Sequence, residues 1–531
     1  MHNKIVENWL TKVGELTFTI PFCQLLLSKG YRIVHISSQG PMEQGKDVIA
    51  VDKDRRVHCY QLKSGNINNK VWGEIRPEID DLVELPPKHP SLSGKIEEWD
   101  AYLVTNGTIA NPTVRTIQDY SDAKEDKGYR PIKTIVRGEL VQDFIEHFGD
   151  FMPIEIQDLQ QFLNLYNEDG EHDLPCERFK KYFESYFSGH SAESRQKKTE
   201  AVRAALILCT YLLTYKYAVG NRIEIIKAYA LLLGSIYHYT ESNGLDEKLW
   251  RDTELLIYEA IEIEFRQLID ELTAHEADFV ESKHGVLSET IAYKLRCNEI
   301  LGYLAAYLNY CLLRRIEPYQ PAAIEAALNK AKSSIALVGE CTIPFLTNYG
   351  LNAYAEGNAQ EAALTWVGTL VAILKANAEG ALGLPSPYYN MPKAIEWALG
   401  IGGRLTGESF QFRSYCLRSI VLLLARTGQR NVLSTAWRPI SIISQSEIIP
   451  DTRADYLLWA IPTGPQSDQF PDTPQSWAKL VAESTADYSD DLPLALRAKP
   501  YFLPFLINVM PHRFNHRFVL TLFAALDNTS N

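Results

Sequence analysis

The apolar residues of this chain keep one rhythm up to about residue 150 and another after it, and no one-class fold accommodates both. In the first part, short alternating runs interleave with helical ones. Glu15 to Lys29 (ELTFTIPFCQLLLSK) is an apolar helical stretch that stops at Gly30. Strand-like runs follow at Tyr31–Ile36, Asp47–Val51 and Val57–Leu62, and the DKDRR turn between the last two predicts a hairpin. A helical segment near Val71–Leu85, a strand at Ala101–Thr105, a helix over Pro112–Tyr120, a strand at Ile132–Val136 and a helix through Leu140–His147 complete the series. That order predicts an α/β sandwich around a small mixed sheet.

From about residue 155 the strand signals fade. Helical stretches are expected near 196–218, 221–239, 246–273, 286–314, 321–337, 343–377 and 409–427. Segments such as TELLIYEAIEIEFRQLIDEL repeat apolar residues at three- and four-residue spacing, as an amphipathic helix does. The expected organisation is an α/β domain over 1–150, a linker with connecting helices over 151–190, and a large all-α domain over 191–531. A sub-boundary is expected in the proline-rich, aromatic stretch 450–475. Residues 349–366 (YGLNAYAEGNAQEAALTW) resemble part of a tetratricopeptide repeat through Gly350, Gly357 and the pair Glu361–Ala362, but no further copies run in register.

At 531 residues, with 46% apolar and 22% charged residues, the chain has the make-up of a folded protein with more than one core. No apolar run is long enough to span a membrane, and MHNKIVENWL lacks the apolar core of a signal peptide. The eight cysteines (23, 59, 176, 209, 297, 311, 341 and 416) form no CxxC pair, which suits reduced core thiols in a cytoplasmic protein. The net charge of −13 argues against a protein coated in nucleic acid. Between Lys46 and Arg76, however, the balance is positive, and a local basic patch can hold a phosphate backbone. Lys46, Lys70 and Arg76 are the expected contacts there.

The chemistry-bearing stretch is GKDVIAVDKDRRVHCYQLKSG (45–65). An acid, Asp47, enters one strand of the hairpin and the next carries Gln61-x-Lys63. Alternation puts positions 61 and 63 on one face, toward Asp47. Metal-assisted phosphodiester hydrolysis needs that grouping. Carboxylate and carbonyl oxygens hold a hard divalent cation, and a lysine beside it orients a water and offsets charge on the phosphate. Glu15, on the preceding helix, is placed as a further metal-side acid.

These residues resemble the PD-(D/E)xK nuclease superfamily, and most of all its Mrr-type restriction endonuclease branch. The likeness rests on GELTF with Glu15, on Gly45-Lys46-Asp47, on Gln61-Leu62-Lys63, on AYLVTNGTI (101–109) and on TIVRGELVQDFI (134–145), in that order over about 150 residues. It departs from the name-giving pattern at Gln61, where Glu or Asp is commonest, so one negative charge is missing from the site. The resemblance implies a restriction-endonuclease-like fold and catalytic residues Glu15, Asp47, Gln61 and Lys63. It implies magnesium or manganese held by Asp47, Gln61, Glu15 and the backbone carbonyl of Leu62. It further implies an endonuclease acting on DNA ahead of RNA, as an effector of bacterial restriction or antiphage defence. A homo-oligomer and a partner protein are expected with it, the helical domain controlling activation or assembly. The alternatives are a non-cutting nucleic-acid-binding helical scaffold, or a nuclease subunit that needs a partner for recognition.

Other motifs carry less. Gly40-Pro-Met-Glu-Gln-Gly45-Lys46 imitates a phosphate-binding loop, but Asp47 stands where Ser or Thr belongs and a strand follows instead of a helix. His512 with His516, and Glu271 with His275, stand four apart without a third ligand in reach. Glu259, Glu262 and Glu264 are expected on the solvated side of an amphipathic helix.

Overall fold

The computed structural model describes residues 1–37, 45–92, 96–274, 291–400, 410–458 and 466–530. They form two compact units, Met1–Leu233 with Asn243–Glu264, and Gly234–Ser242 with Phe265–Asn531. The first is α/β and the second largely helical.

In the first unit a five-stranded sheet has the order β1 (Arg32–Ile36), β2 (Val48–Val51), β3 (Val57–Lys63), β4 (Trp99–Thr105) and β5 (Ile132–Ile135). β1, β2 and β3 run antiparallel to their neighbours, whereas β3, β4 and β5 are parallel, so the sheet is mixed as expected. The hairpin between β2 and β3 closes through the Asp52 carboxylate, which accepts from the Arg56 N–H at 2.8 Å, while Arg55 takes a left-handed conformation. Parallel pairing requires crossovers, and two helices supply them: α3 (Asn69–Glu84) before β4 and α4 (Asn111–Glu125) before β5.

Each face of the sheet is covered. Val57, Cys59, Ala101 and Leu103 pack under Ile75, Ile79, Leu82 and Ile117 of α3 and α4. The opposite face meets α2 (Glu15–Ser28), where the Phe22 and Tyr60 rings lie edge to face at 5.2 Å. An unexpected helix, α1 (His2–Lys12), packs on α5 (Arg137–Phe148) through Trp9 and Phe144, 5.3 Å apart. Ile5, Val6, Trp9 and Leu10 stand at helical spacing between charged and polar residues, and all four are buried.

Six more helices belong to this unit in whole or part: α6 (Ile156–Tyr166), α7 (Cys176–Gly189), α8 (Arg195–Leu212), α9 (Thr214–Val219), α10 (Arg222–Ser242) and α11 (Arg251–Ala274). The first compact unit therefore extends past residues 150 and 190. α2 is apolar nearly all round, so burying one side on the sheet leaves another to cover, and α8 covers it. Trp9 likewise sits against Tyr211 of α8 at 5.2 Å.

The second unit contains the helices α12 (Ile291–Arg314), α13 (Pro321–Ala331), α14 (Ile343–Ala355) and α15 (Ala359–Ala376), and shorter ones to Ser530. The single helix expected over 343–377 is two. Gly357, at φ +84°, turns the chain between α14 and α15, and Gly350 lets them approach, since a Cβ there would lie 2.5 Å from the Trp366 ring nitrogen. The all-α expectation is corrected by a small sheet of β6 (Arg413–Ser414), β7 (Ser444–Ile448) and β8 (Gln466–Gln469). Strands reading RS, SQSEI and QSDQ have no apolar alternation to betray them, and polar pairing such as Arg413 to Asp468 at 2.9 Å ties them. Among the described residues no helix is long and apolar enough to cross a membrane.

Candidate active site

β2 begins at Val48, yet the ladder with β3 continues one residue further. The Asp47 N–H donates to the Tyr60 carbonyl at 2.9 Å, and the Asp47 carboxylate then accepts from the Leu62 N–H at 2.6 Å. The side chain thus takes up a backbone donor beyond the strand end, which fixes both Asp47 and the Leu62 backbone. The same Asp47 oxygen accepts from Gln61 Nε2 at 2.8 Å.

Lys63, two residues on and facing the same way, holds Glu15 at 3.3 Å. Glu15 opens α2, where the helix dipole favours an acid. Glu15, Asp47, Gln61, the Leu62 backbone and Lys63 therefore meet at one end of β3. Burial pulls the Lys63 ammonium down, but Glu15, Glu78 and Asp47 outweigh it and hold its pKa above the ordinary value. Glu15 is shifted up, because burial and the nearby Glu78 outweigh the attraction of Lys63.

Two further residues complete the arrangement and were not anticipated. Glu78 of α3 bonds Lys63 Nζ at 2.9 Å and Gln61 Nε2 at 3.2 Å. Its sequence signal is an acid set in the row Val71, Ile75, Leu82, all on one side of α3 at helical spacing. Asn106, just past β4, accepts from the Gly65 N–H at 2.7 Å and donates to the Val13 carbonyl at 2.9 Å. One buried amide thereby ties the loop after Lys63 to the loop before Glu15. The strand-plus-turn AYLVTNGTI carries this residue, but its spacing alone says nothing of the bond.

Gly45 has φ +67°, and a Cβ there would stand 2.0 Å from the Glu78 carbonyl oxygen, so only glycine brings this segment against α3. Lys46 follows suit. It is 2% exposed and its Nζ donates to the Asp81 carbonyl at 3.0 Å. Burial lowers its pKa to about 8. This corrects the expectation that Lys46 meets a nucleic acid, since it is spent anchoring the loop. Lys70 is exposed near Glu74, and Arg76 is exposed over the Tyr120 ring at 5.2 Å.

The donor set suits a hard divalent cation. Gln61 is 3% exposed and its Oε1 has no hydrogen-bond partner, an orphaned acceptor beside two carboxylates. In this conformation the acids do not close into one ligand shell, and no group of three or more His, Cys, Asp or Glu with metal-binding geometry occurs among the described residues. The Lys63 ammonium and the Gln61 amide bridge them instead.

The remaining motifs resolve into structure. His512 lies over the Tyr388 ring at 5.6 Å, while His516 Nδ1 pairs with Glu447 at 2.6 Å. Glu264, expected in solvent, is buried and paired with Arg222 at 3.2 Å, and Glu259 and Glu262 are half-buried. His275 and residues 40–44 of the phosphate-loop imitation lie outside the described residues. No family model, no curated protein and no solved structure matches this chain.

Proposed function

We propose that this chain is a divalent-metal-dependent endonuclease whose active site is the Glu15, Asp47, Gln61 and Lys63 group. The observation that carries the proposal is the orphaned Gln61 oxygen, buried beside Asp47 at the strand end where Lys63 and Glu15 meet. Asp47, Gln61, the Leu62 carbonyl and Glu15 would hold Mg²⁺ or Mn²⁺. Such an ion polarises a phosphodiester and eases deprotonation of the attacking water.

The protein's own groups divide the rest of the work. Lys63 lies against Glu15 and Glu78, and these acids hold its pKa above the ordinary value. It serves by orienting water and by countering the charge that grows on the phosphate oxygens. Asp47 is held by the backbone of the next strand, which would fix the position at which it takes a cation. Exposed Lys70 and Arg76 supply cationic contacts for the nucleic-acid backbone.

The wider proposal is an effector of bacterial restriction or antiphage defence, acting in the cytoplasm on DNA ahead of RNA. Its helical region controls activation, assembly into a homo-oligomer or engagement of a partner protein. The test is a panel of plasmid, linear duplex, single-stranded DNA and RNA incubated with the full chain in Mg²⁺, Mn²⁺ or EDTA. Metal-dependent cleavage of DNA, lost in EDTA, is the expected result. Binding without cleavage under every metal would replace the enzyme with a nucleic-acid-binding scaffold.

A further inference from the structure

Gln61 leaves the candidate site one negative charge short of the superfamily pattern it resembles, and the structure offers a replacement from another element. Resting on the proposed function, we infer that Glu78 of α3 is a further acid of the cation site and supplies the charge that position 61 lacks.

Three observations converge on this residue. First, Glu78 reaches both central side chains, Lys63 Nζ at 2.9 Å and Gln61 Nε2 at 3.2 Å. Second, its place is built. The chain just before Asp47 is pressed against the Glu78 carbonyl at Gly45, and Lys46 bonds Asp81 one turn on. The turn of α3 that carries Glu78 is therefore locked to the segment that carries Asp47. Third, the Gln61 amide lies between the Asp47 and Glu78 carboxylates with its nitrogen toward both and its oxygen orphaned. Turned about its last bond, the amide would direct that oxygen at two carboxylates. Three oxygens face one another stably only around a cation.

The charge agrees. Fully ionised, Glu15, Asp47 and Glu78 with Lys63 leave a deficit of two positive charges, which a divalent ion fills. In the form described here Glu78 and Lys63 satisfy each other. Glu78 is half exposed, so its carboxylate has room to leave Lys63 for a cation without disturbing the core.

Calorimetric titration of Mn²⁺ into the full-length protein tests this, alongside Glu78→Gln and the double variant Glu78→Gln with Gln61→Glu. Glu78→Gln should weaken Mn²⁺ binding by about tenfold or more, with the metal-free melting temperature nearly unchanged, since loss of an outer partner alone can cost ~10-fold. The double variant should recover most of the affinity, because the charge returns at position 61. Glu78→Gln that binds Mn²⁺ as the wild type does, even with slower cleavage, would make Glu78 a Lys63 partner only and overturn the inference while leaving the proposed function standing. A wild-type protein that neither binds Mn²⁺ nor cleaves would overturn both.

Discussion

Asn106 makes two bonds from one buried amide, to the Gly65 N–H and to the Val13 carbonyl. No other residue described here links the loop after Lys63 to the loop before Glu15 so directly. Asn106→Ala leaves a backbone donor and a backbone acceptor unpaired, a loss of about 2 kcal/mol in stability. If Glu15 and Lys63 owe their register to that amide, cleavage should fall by roughly tenfold or more as well, since small misplacements are costly at a reacting centre. Denaturant unfolding and initial rates at saturating metal check the two effects separately. Unchanged rates in a destabilised protein would reduce Asn106 to a structural residue. At this scale the sequence was informative about strand residues and less so about helix ones. Asp47, Gln61 and Lys63 follow from the alternation of a hairpin, which dictates facing. Glu78 and Asn106 arrive from elements distant in sequence, and no local period reports a tertiary approach. Lys46 shows the opposite failure: a lysine in a basic run suggests a surface, yet the close passage at Gly45 buries it.

The elements were legible where apolar rhythm is strong. All five strands of the N-terminal sheet and α2 to α5 lie close to their expected spans; β2, β3, β4 and the helices bury apolar residues, while β1 and β5 are only partly covered. The sheet of β6, β7 and β8 was not legible, because polar side chains hold it. Glu340 belongs to this polar fastening. It is buried, bonds the Ser414 hydroxyl and accepts from the Tyr415 N–H at 2.8 Å. Burial pushes its pKa up to about 7 from an ordinary 4.5. The native state therefore holds a proton that the unfolded chain has released between those values. Stability contributed here is full below about pH 4.5 and declines as pH rises toward about 7, by up to about 3 kcal/mol at 1.36 kcal/mol per pKa unit. Glu340→Gln should flatten that slope in urea unfolding measured from pH 5 to 8. An identical slope in the variant would mean that another group titrates.

For the whole molecule, the two periodicities mark the change from α/β to helical structure, and the first compact unit runs on past that change to Leu233. Trp9, fully buried, has Phe144 on one side and Tyr211 on the other, and Asn8 bonds Tyr166. A fragment ending at residue 155 lacks both tyrosines and uncovers the side of α2 that α8 seals. It should aggregate or lose near-ultraviolet circular dichroism, since exposing buried aromatic and aliphatic side chains costs about 1.5–3 kcal/mol each. A monomeric fragment with a sharp melting transition would show that α8 is dispensable. For the same reason, regulation by the helical region is better probed in the full chain.

The central claim is that the end of β3 is a hydrolytic site, and Lys63→Ala tests it most directly. The measurement is the single-turnover cleavage rate of duplex DNA in Mg²⁺ by full-length wild type and variant, with melting temperatures recorded for both. Lys63 is largely buried and pairs with Glu15 and Glu78, so the melting temperatures separate a loss of folding from a loss of chemistry. The account predicts wild-type cleavage that EDTA abolishes, and a folded Lys63→Ala protein whose rate falls at least about a hundredfold. A Lys63→Ala protein that cuts at the wild-type rate would contradict it.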